Sequence, residues 1–222
     1  MTRPPAVAVM AKVPGAAPVK SRLHGALSPE RATELYRCFL LDRLDGLAGV
    51  LDVAHVVAFT PPEAAGVMAA LAPPGFRLLP QEGDTLDARL TGLFARLLDD
   101  GHAGAIAIDS DSPTLPMAYV TEAAGTLAAG RADVVMGPSD DGGYYLIGVR
   151  APQPALFDGV PWSSPDTRRA TLERARALGL SVHLLPPWFD VDTAADLARL
   201  RTDLAGRTAP PRTAAFVRTL AC

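Results

Sequence analysis

Two aspartates, Asp109 and Asp111, close the run AIAIDSD, and Pro113 follows at once. Residues two apart on an extended chain point to the same side. Like charges so placed repel, and neither is readily buried bare. A divalent cation resolves the conflict, because magnesium takes oxygen ligands, commonly one or two carboxylates with substrate phosphates. An aspartate capping the turn toward Pro113 is the simpler alternative, and it accounts for one carboxylate rather than two.

Two further stretches are acidic. PSDDGGYY carries Asp140 and Asp141, then Gly142, Gly143, Tyr144 and Tyr145. Asp-Gly also builds hairpin turns, but the double glycine would let a ligand approach the backbone closely. WFDVDT carries Asp190 and Asp192. Asp192 is placed to cap the next helix, whereas Asp190 lies two residues before it and no cap needs it.

One loop is basic. KVPGAAPVKSRL holds Lys12, Lys20 and Arg22, with Pro14, Gly15 and Ser21 among them. Cations and free backbone N–H groups before a helix suit phosphate oxygens. Spacing alone serves a plain solvated loop equally well, since one glycine is a weak phosphate-loop signal. Bases bind phosphate, acids bind magnesium, and magnesium bridges to phosphate, so the set points to a metal-dependent transferase acting on a nucleotide. Neither the Gly-x-Ser-x-Gly elbow nor the Gly-x-x-x-x-Gly-Lys-Ser/Thr loop occurs, which disfavours the chemistry those loops carry.

Such residues need a scaffold that gathers them. Short Val-rich or apolar runs at 6–12, 52–59, 76–80, 103–108, 133–137, 144–149 and 181–186 read as strands. Helices are expected at 28–47, opened by Ser28-Pro29 as cap and first-turn proline, from Pro61 to about 72, at 85–100, from Pro116 to near 130, at 166–179 and at 192–204. Alternation of this kind implies an α/β fold, a single three-layer α/β/α domain with a mixed, mostly parallel sheet. The pair at 133–149 implies an antiparallel excursion. Ligands then sit beyond the strand carboxyl ends, where all four polar loops fall. The domain is expected over 1–204, with a tail at 205–222 that packs on a neighbouring subunit, as in a homodimer, or frays.

The composition agrees with a packed domain. Of 222 residues, 49% are hydrophobic and 20% charged, and the net charge is −3. No basic stripe marks a nucleic-acid binder. No run approaches the roughly 18 apolar residues of a membrane span, and no leader segment stands at the start, so the expected setting is cytoplasmic, with neither nucleic acid nor membrane as partner. Cys38 and Cys222 lack metal-ligand spacing. His55 and His183 lie within strands and read as structural.

MAKVPGAAPVKSRL, DSDSPTLP, GPSDDGGYYLIG, VPWSSPDT and FDVDTAADL, in that order, resemble the radical-SAM/selenodomain-associated transferase 1 family, over about residues 7–200. That family has the nucleotide-diphospho-sugar transferase fold, often called GT-A. The resemblance implies that Lys12, Pro14, Gly15, Lys20, Ser21, Arg22, Gln81 and Arg89 bind the nucleotide. It implies that Asp111, with Asp190 or Asp192 and less securely Asp109, holds Mg2+ or Mn2+. It puts Asp141, Gly142, Gly143, Tyr144, Trp162 and Ser163 on the acceptor side, with Ser163 or Thr167 donating hydrogen bonds. Lys20, Arg22 and Asp111 are the implied catalytic set. Ala17 stands where the family's loop glycine is expected, and Asp109 where it commonly has glycine.

Two reactions share this fold. Nucleotidyl transfer from a nucleoside triphosphate to a small phosphorylated acceptor releases pyrophosphate. Glycosyl transfer from a nucleotide-sugar to a small acceptor releases a nucleoside diphosphate. The basic loop tips the expectation slightly toward the first, because a triphosphate brings about four negative charges to neutralise. A non-catalytic nucleotide-binding regulator is the third alternative.

Overall fold

The computed structural model describes residues 2–205 and 210–220. Seven strands form one sheet: β1 (Ala6–Lys12), β2 (Ala54–Thr60), β3 (Arg77–Pro80), β4 (Ala105–Ile108), β5 (Val134–Pro138), β6 (Tyr144–Val149) and β7 (Val182–Leu184). Their order is β3-β2-β1-β4-β6-β5-β7. All neighbours run parallel except β6, which lies antiparallel between β4 and β5. The expected excursion at 133–149 is therefore this one reversed strand.

Alternation along the strands feeds two cores. Val7 and Val9 face one side with Leu40, Leu44 and Leu47 of α1 (Pro29–Ala48), Met68 of α2 (Ala65–Leu71) and Val120 of α4 (Met117–Ala128). Ala6 and Ala8 face the other with Leu90, Phe94 and Leu97 of α3 (Leu86–Asp99) and Ala175 of α5 (Thr167–Ala177). The central strands are buried on both faces, as helices above and below a parallel sheet require. Ser28 caps α1, its Oγ accepting from Arg31 N.

A third cluster joins α1 to α6 (Ala194–Ala205) and α7 (Pro211–Arg218) through Phe39, Leu200, Phe216 and Val217. The segment after 204 thus departs from the expected tail, since its described part is a helix docked on α1 of the same chain. The buried Asp42 carboxylate holds it, accepting from the backbone N–H groups of Arg212 and Thr213 at 3.2 and 2.7 Å. A carboxylate facing the first turn of a helix meets its unpaired donors and its positive dipole end. Cys222 lies outside the described residues. Among the described residues no helix is long and apolar enough to cross a membrane.

Strand order changes direction at β1: the chain goes from it to β2 and β3 on one side and to β4 on the other. That switch point leaves a crevice beyond the carboxyl ends of β1 and β4. The basic loop follows β1 and the Asp109–Asp111 stretch follows β4.

Candidate active site

Two clefts open at that edge and meet at Asp111. The first, about 470 Å³, is lined by Lys12, Lys20, Ser21, Arg22, Gln81 and Arg89, with Asp111 and Asp192. The second, about 280 Å³, is lined by Asp109, Asp111, Asp141, Gly143, Asp190, Tyr144, Trp162, Ser139, Ser163, Ser164 and Thr167. Leu86, Asp111 and Ser163 line both.

Backbone hydrogen bonds hold the loops together. Val191 N donates to Asp111 O at 3.0 Å, Trp188 N to Pro138 O at 2.9 Å and Asp140 N to Trp188 O at 3.0 Å. The three acidic stretches, far apart in sequence, are thereby one surface.

Lys20 differs from expectation. Its ammonium is not free for phosphate but lies 2.5 Å from Asp111 Oδ1 and 2.8 Å from Asp192 Oδ1. Its side chain is 2% exposed. Burial opposes the charge, but the two carboxylates outweigh it and hold the ammonium above its ordinary pKa. The backbone there is left-handed, φ 50° and ψ 36°, a conformation a non-glycine residue enters rarely.

Asp192 is not the helix cap. Thr193 takes that position: its Oγ1 accepts from Asp196 N, and Asp196 Oδ2 accepts from Thr193 N at 2.8 Å. This capping box leaves Asp192 to face Lys20. Asp109 turns away from a metal-like arrangement toward Arg43, whose Nη2 is 3.7 Å from Asp109 Oδ1, and its Oδ2 accepts from Ser112 Oγ at 2.5 Å. Burial pushes Asp109 up to about 7, against the pull of Arg43. Burial and the neighbouring Asp141 push Asp190 up to about 6, although Ser139 donates to it at 2.9 Å. Among the described residues no three acids, histidines or cysteines come together as a ready metal cage. Magnesium does not demand one, since it is usually held by one or two carboxylates plus substrate phosphates. Asp111 and Asp192, which already converge on one ammonium, suit such an ion.

Other expected residues are displaced. Pro14 and Gly15 line a shallow groove against the start of α1, away from both clefts; the +83° φ of Gly15 serves the turn itself. Gly142 admits no ligand, because a Cβ there would lie 2.2 Å from Pro165 O. Its missing side chain lets the 139–143 turn pack on the loop that carries Trp162. The Thr167 hydroxyl is engaged inside that loop, its one proton lying between Pro161 O at 2.6 Å and Ser164 O at 2.8 Å. Gln81 Nε2 is fixed on Ala58 O at 2.7 Å and Ala11 O at 3.3 Å. Tyr144 meets Trp162 edge-on, with centroids 6.2 Å apart. Tyr145 is core, its hydroxyl donating to Pro186 O. His55 stacks on Phe76 and His183 pairs with Glu122, so both are structural.

The sequence reading missed Tyr36, Ser110 and Arg43. Ser110 Oγ donates to Met10 O, Tyr36 OH meets Ser110 Oγ at 2.9 Å, and Lys12 N donates to Tyr36 OH at 2.9 Å. This chain fixes the end of β1 to the end of β4. Arg43 is fully buried on α1 and donates to Ser112 O. The only signal for Tyr36 and Arg43 was a polar residue on the apolar face of α1, and Ser110 stood unremarked between the two aspartates.

A family model described as "Uncharacterized protein conserved in bacteria (DUF2064)" matches residues 44–164, just over half of the chain. No curated protein sequence is significantly similar to it. A candidate nucleotide-diphospho-sugar transferase from Desulfovibrio desulfuricans G20 is 32% identical, with a TM-score of 0.89, covering 97% of this chain and 94% of that one. CMP:2-keto-3-deoxy-manno-octonic acid synthetase complexed with CTP is 14% identical at a TM-score of 0.56, covering 91% and 98%. Glucosyl-3-phosphoglycerate synthase from Mycobacterium tuberculosis, in complex with Mn2+, UDP and its product, is 12% identical at 0.52, covering 85% and 71%. The last two likenesses are of fold alone. The architecture is that of the nucleotide-diphospho-sugar transferases, a fold used for both nucleotidyl and glycosyl transfer.

Proposed function

The chain belongs to the DUF2064 family, and on that premise we propose that it is a metal-dependent transferase that moves a sugar from a nucleotide-diphospho-sugar to a small acceptor. One observation carries the choice of reaction. Among the described residues, the second cleft is lined by Asp109, Asp111, Asp141 and Asp190, an aromatic pair, serines and Thr167, with no cation. A phosphorylated nucleophile would enter there against Asp141 and Asp190, while Asp109 and Asp111 have Arg43 and Lys20 beside them. A neutral sugar would instead find hydrogen-bond acceptors for its hydroxyls and the Tyr144–Trp162 edge for its apolar face.

In this reading the diphosphate lies in the first cleft, against Lys12, Arg22 and Arg89. The acceptor hydroxyl attacks the anomeric carbon and gives up its proton to a carboxylate of the second cleft, the bond to the diphosphate breaks, and the nucleoside diphosphate leaves with the electron pair. Lys12, Arg22 and Arg89 stabilise the charge that grows on it. Asp111 and Asp192, with Asp190 beside them, would hold Mg2+ or Mn2+, which when bound neutralises diphosphate charge. Ser21 and the anchored Gln81 line the nucleotide side, and Ser163 stands where the two clefts meet. The resemblance to the radical-SAM/selenodomain-associated transferases and the description of the Desulfovibrio relative support this reading.

Nucleotidyl transfer is the second reading. What favours it is that Lys12, Arg22 and Arg89 share one cleft wide enough for a triphosphate. A thermal-shift panel with Mg2+ or Mn2+ tests the pair, since a ligand of the folded state raises the melting temperature by mass action. Stabilisation by one nucleotide-sugar above any triphosphate is expected; stabilisation by triphosphates alone would reverse the choice.

A further inference from the structure

Lys20 is the most enclosed cation of the first cleft, and its ammonium lies between two carboxylates, 2.5 and 2.8 Å away. A divalent ion cannot use Asp111 and Asp192 while the ammonium remains there, because like charges so close repel strongly inside a protein. The backbone of Lys20 is left-handed, so the chain is bent to deliver that side chain inward. The ring of Phe39 lies 5.6 Å from Nζ and closes the inner side. The first cleft, which Lys20 lines beside Lys12 and Arg22, gives the side chain a way out.

We infer that Lys20 is an internal stand-in for the metal, so that divalent cation and nucleotide bind as a coupled pair rather than singly. This rests on the nucleotide reading of the first cleft. Without nucleotide, the ammonium neutralises Asp111 and Asp192 and the cation is kept out. A diphosphate offers the ammonium another anionic partner, draws it off the carboxylates and leaves them to the cation. By linkage, the cation raises the affinity for nucleotide by the same factor.

The test measures Mn2+ binding through the paramagnetic resonance of the free ion. Wild type, Lys20→Met and Lys20→Gln are compared without nucleotide and with saturating UDP, GDP or CDP. Both variants are expected to bind Mn2+ alone about tenfold tighter than wild type or better, with less further gain from nucleotide. Equal or weaker binding by a folded variant overturns the inference. Should both variants unfold, refolding by Mn2+ alone supports it and failure to refold overturns it. If no nucleotide binds to wild type, the transferase reading fails, while the nucleotide-free comparison still decides the role of Lys20.

Discussion

The ammonium of Lys20 lies 2.5 Å from a carboxylate oxygen of Asp111, 91 positions further along the chain, and this contact joins the basic loop to the acidic strand end. Asp192 completes the group at 2.8 Å. Removing the lysine leaves two carboxylates side by side. Breaking a fully buried pair costs about 3–5 kcal/mol, but these carboxylates are 38% and 36% exposed, and water screens them. Lys20→Ala is therefore expected to lose about 1–2 kcal/mol in urea denaturation.

Arg43 and Asp109 are a more enclosed pair. The guanidinium is 1% exposed and the carboxylate 21%. Arg43→Met alone is expected to cost about 3 kcal/mol, because it strips the buried Asp109 of its cation and Ser112 O of its donor. Adding Asp109→Asn is expected to recover part of that loss. A double-mutant cycle measures the coupling; simple additivity would show that the two groups do not act as a pair.

Gly142 tests how the acceptor-side loop is set. Its φ is +92° and a Cβ would meet the Pro165 backbone. Gly142→Ala is expected to cost about 1–3 kcal/mol, the scale of a strained backbone position. Displacement of the Trp162 loop should also change the tryptophan fluorescence.

Thr193→Ala removes the cap of α6 and is expected to cost about 1 kcal/mol. It also removes the Thr193 Oγ1 bond that steadies the Asp196 carboxylate, on which Asp192 N rests, so nucleotide-dependent Mn2+ binding should weaken with it.

Asp133 supplies a pH dependence away from the site. Hydrogen bonds from Ser181, the side chain first and then the backbone, together with Arg150, hold its carboxyl down to about 2. A depressed carboxyl stabilises the fold above its unfolded value near 3.8 and loses that stability as pH falls through 2. At pH 7 Asp133→Asn should cost about 1 kcal/mol after allowance for solvent. The difference from wild type should shrink between about pH 4 and 2.

Much of this was legible in the sequence. The seven strands and the six helices expected before residue 205 recur within a few residues, because apolar runs, Ser28-Pro29 and the turn glycines are local signals. The acidic loops fell at strand ends for the same reason. What was not legible depended on partners far along the chain. Nothing near Lys20 announces Asp192, so its ammonium read as a phosphate ligand. Asp192 read as the cap, because Asp and Thr both cap well and only the Thr193–Asp196 box separates them. Gly142 looked like an opening for a ligand until Pro165 proved to fill it. Helix α7 is not legible locally, because its eight residues give too short a period to stand out and the Asp42 that holds it lies some 170 positions away.

The central claim, sugar transfer at the meeting of the two clefts, is tested most directly by identifying the leaving group. The protein is incubated with Mn2+, a mixture of small polyol and sugar-phosphate acceptors and, separately, UDP-, GDP- and CDP-linked sugars and the four nucleoside triphosphates, and the products are resolved by phosphorus NMR. The account predicts a nucleoside diphosphate from one nucleotide-sugar, and its loss with Asp111→Ala. Pyrophosphate from a triphosphate, with every nucleotide-sugar left intact, would contradict it.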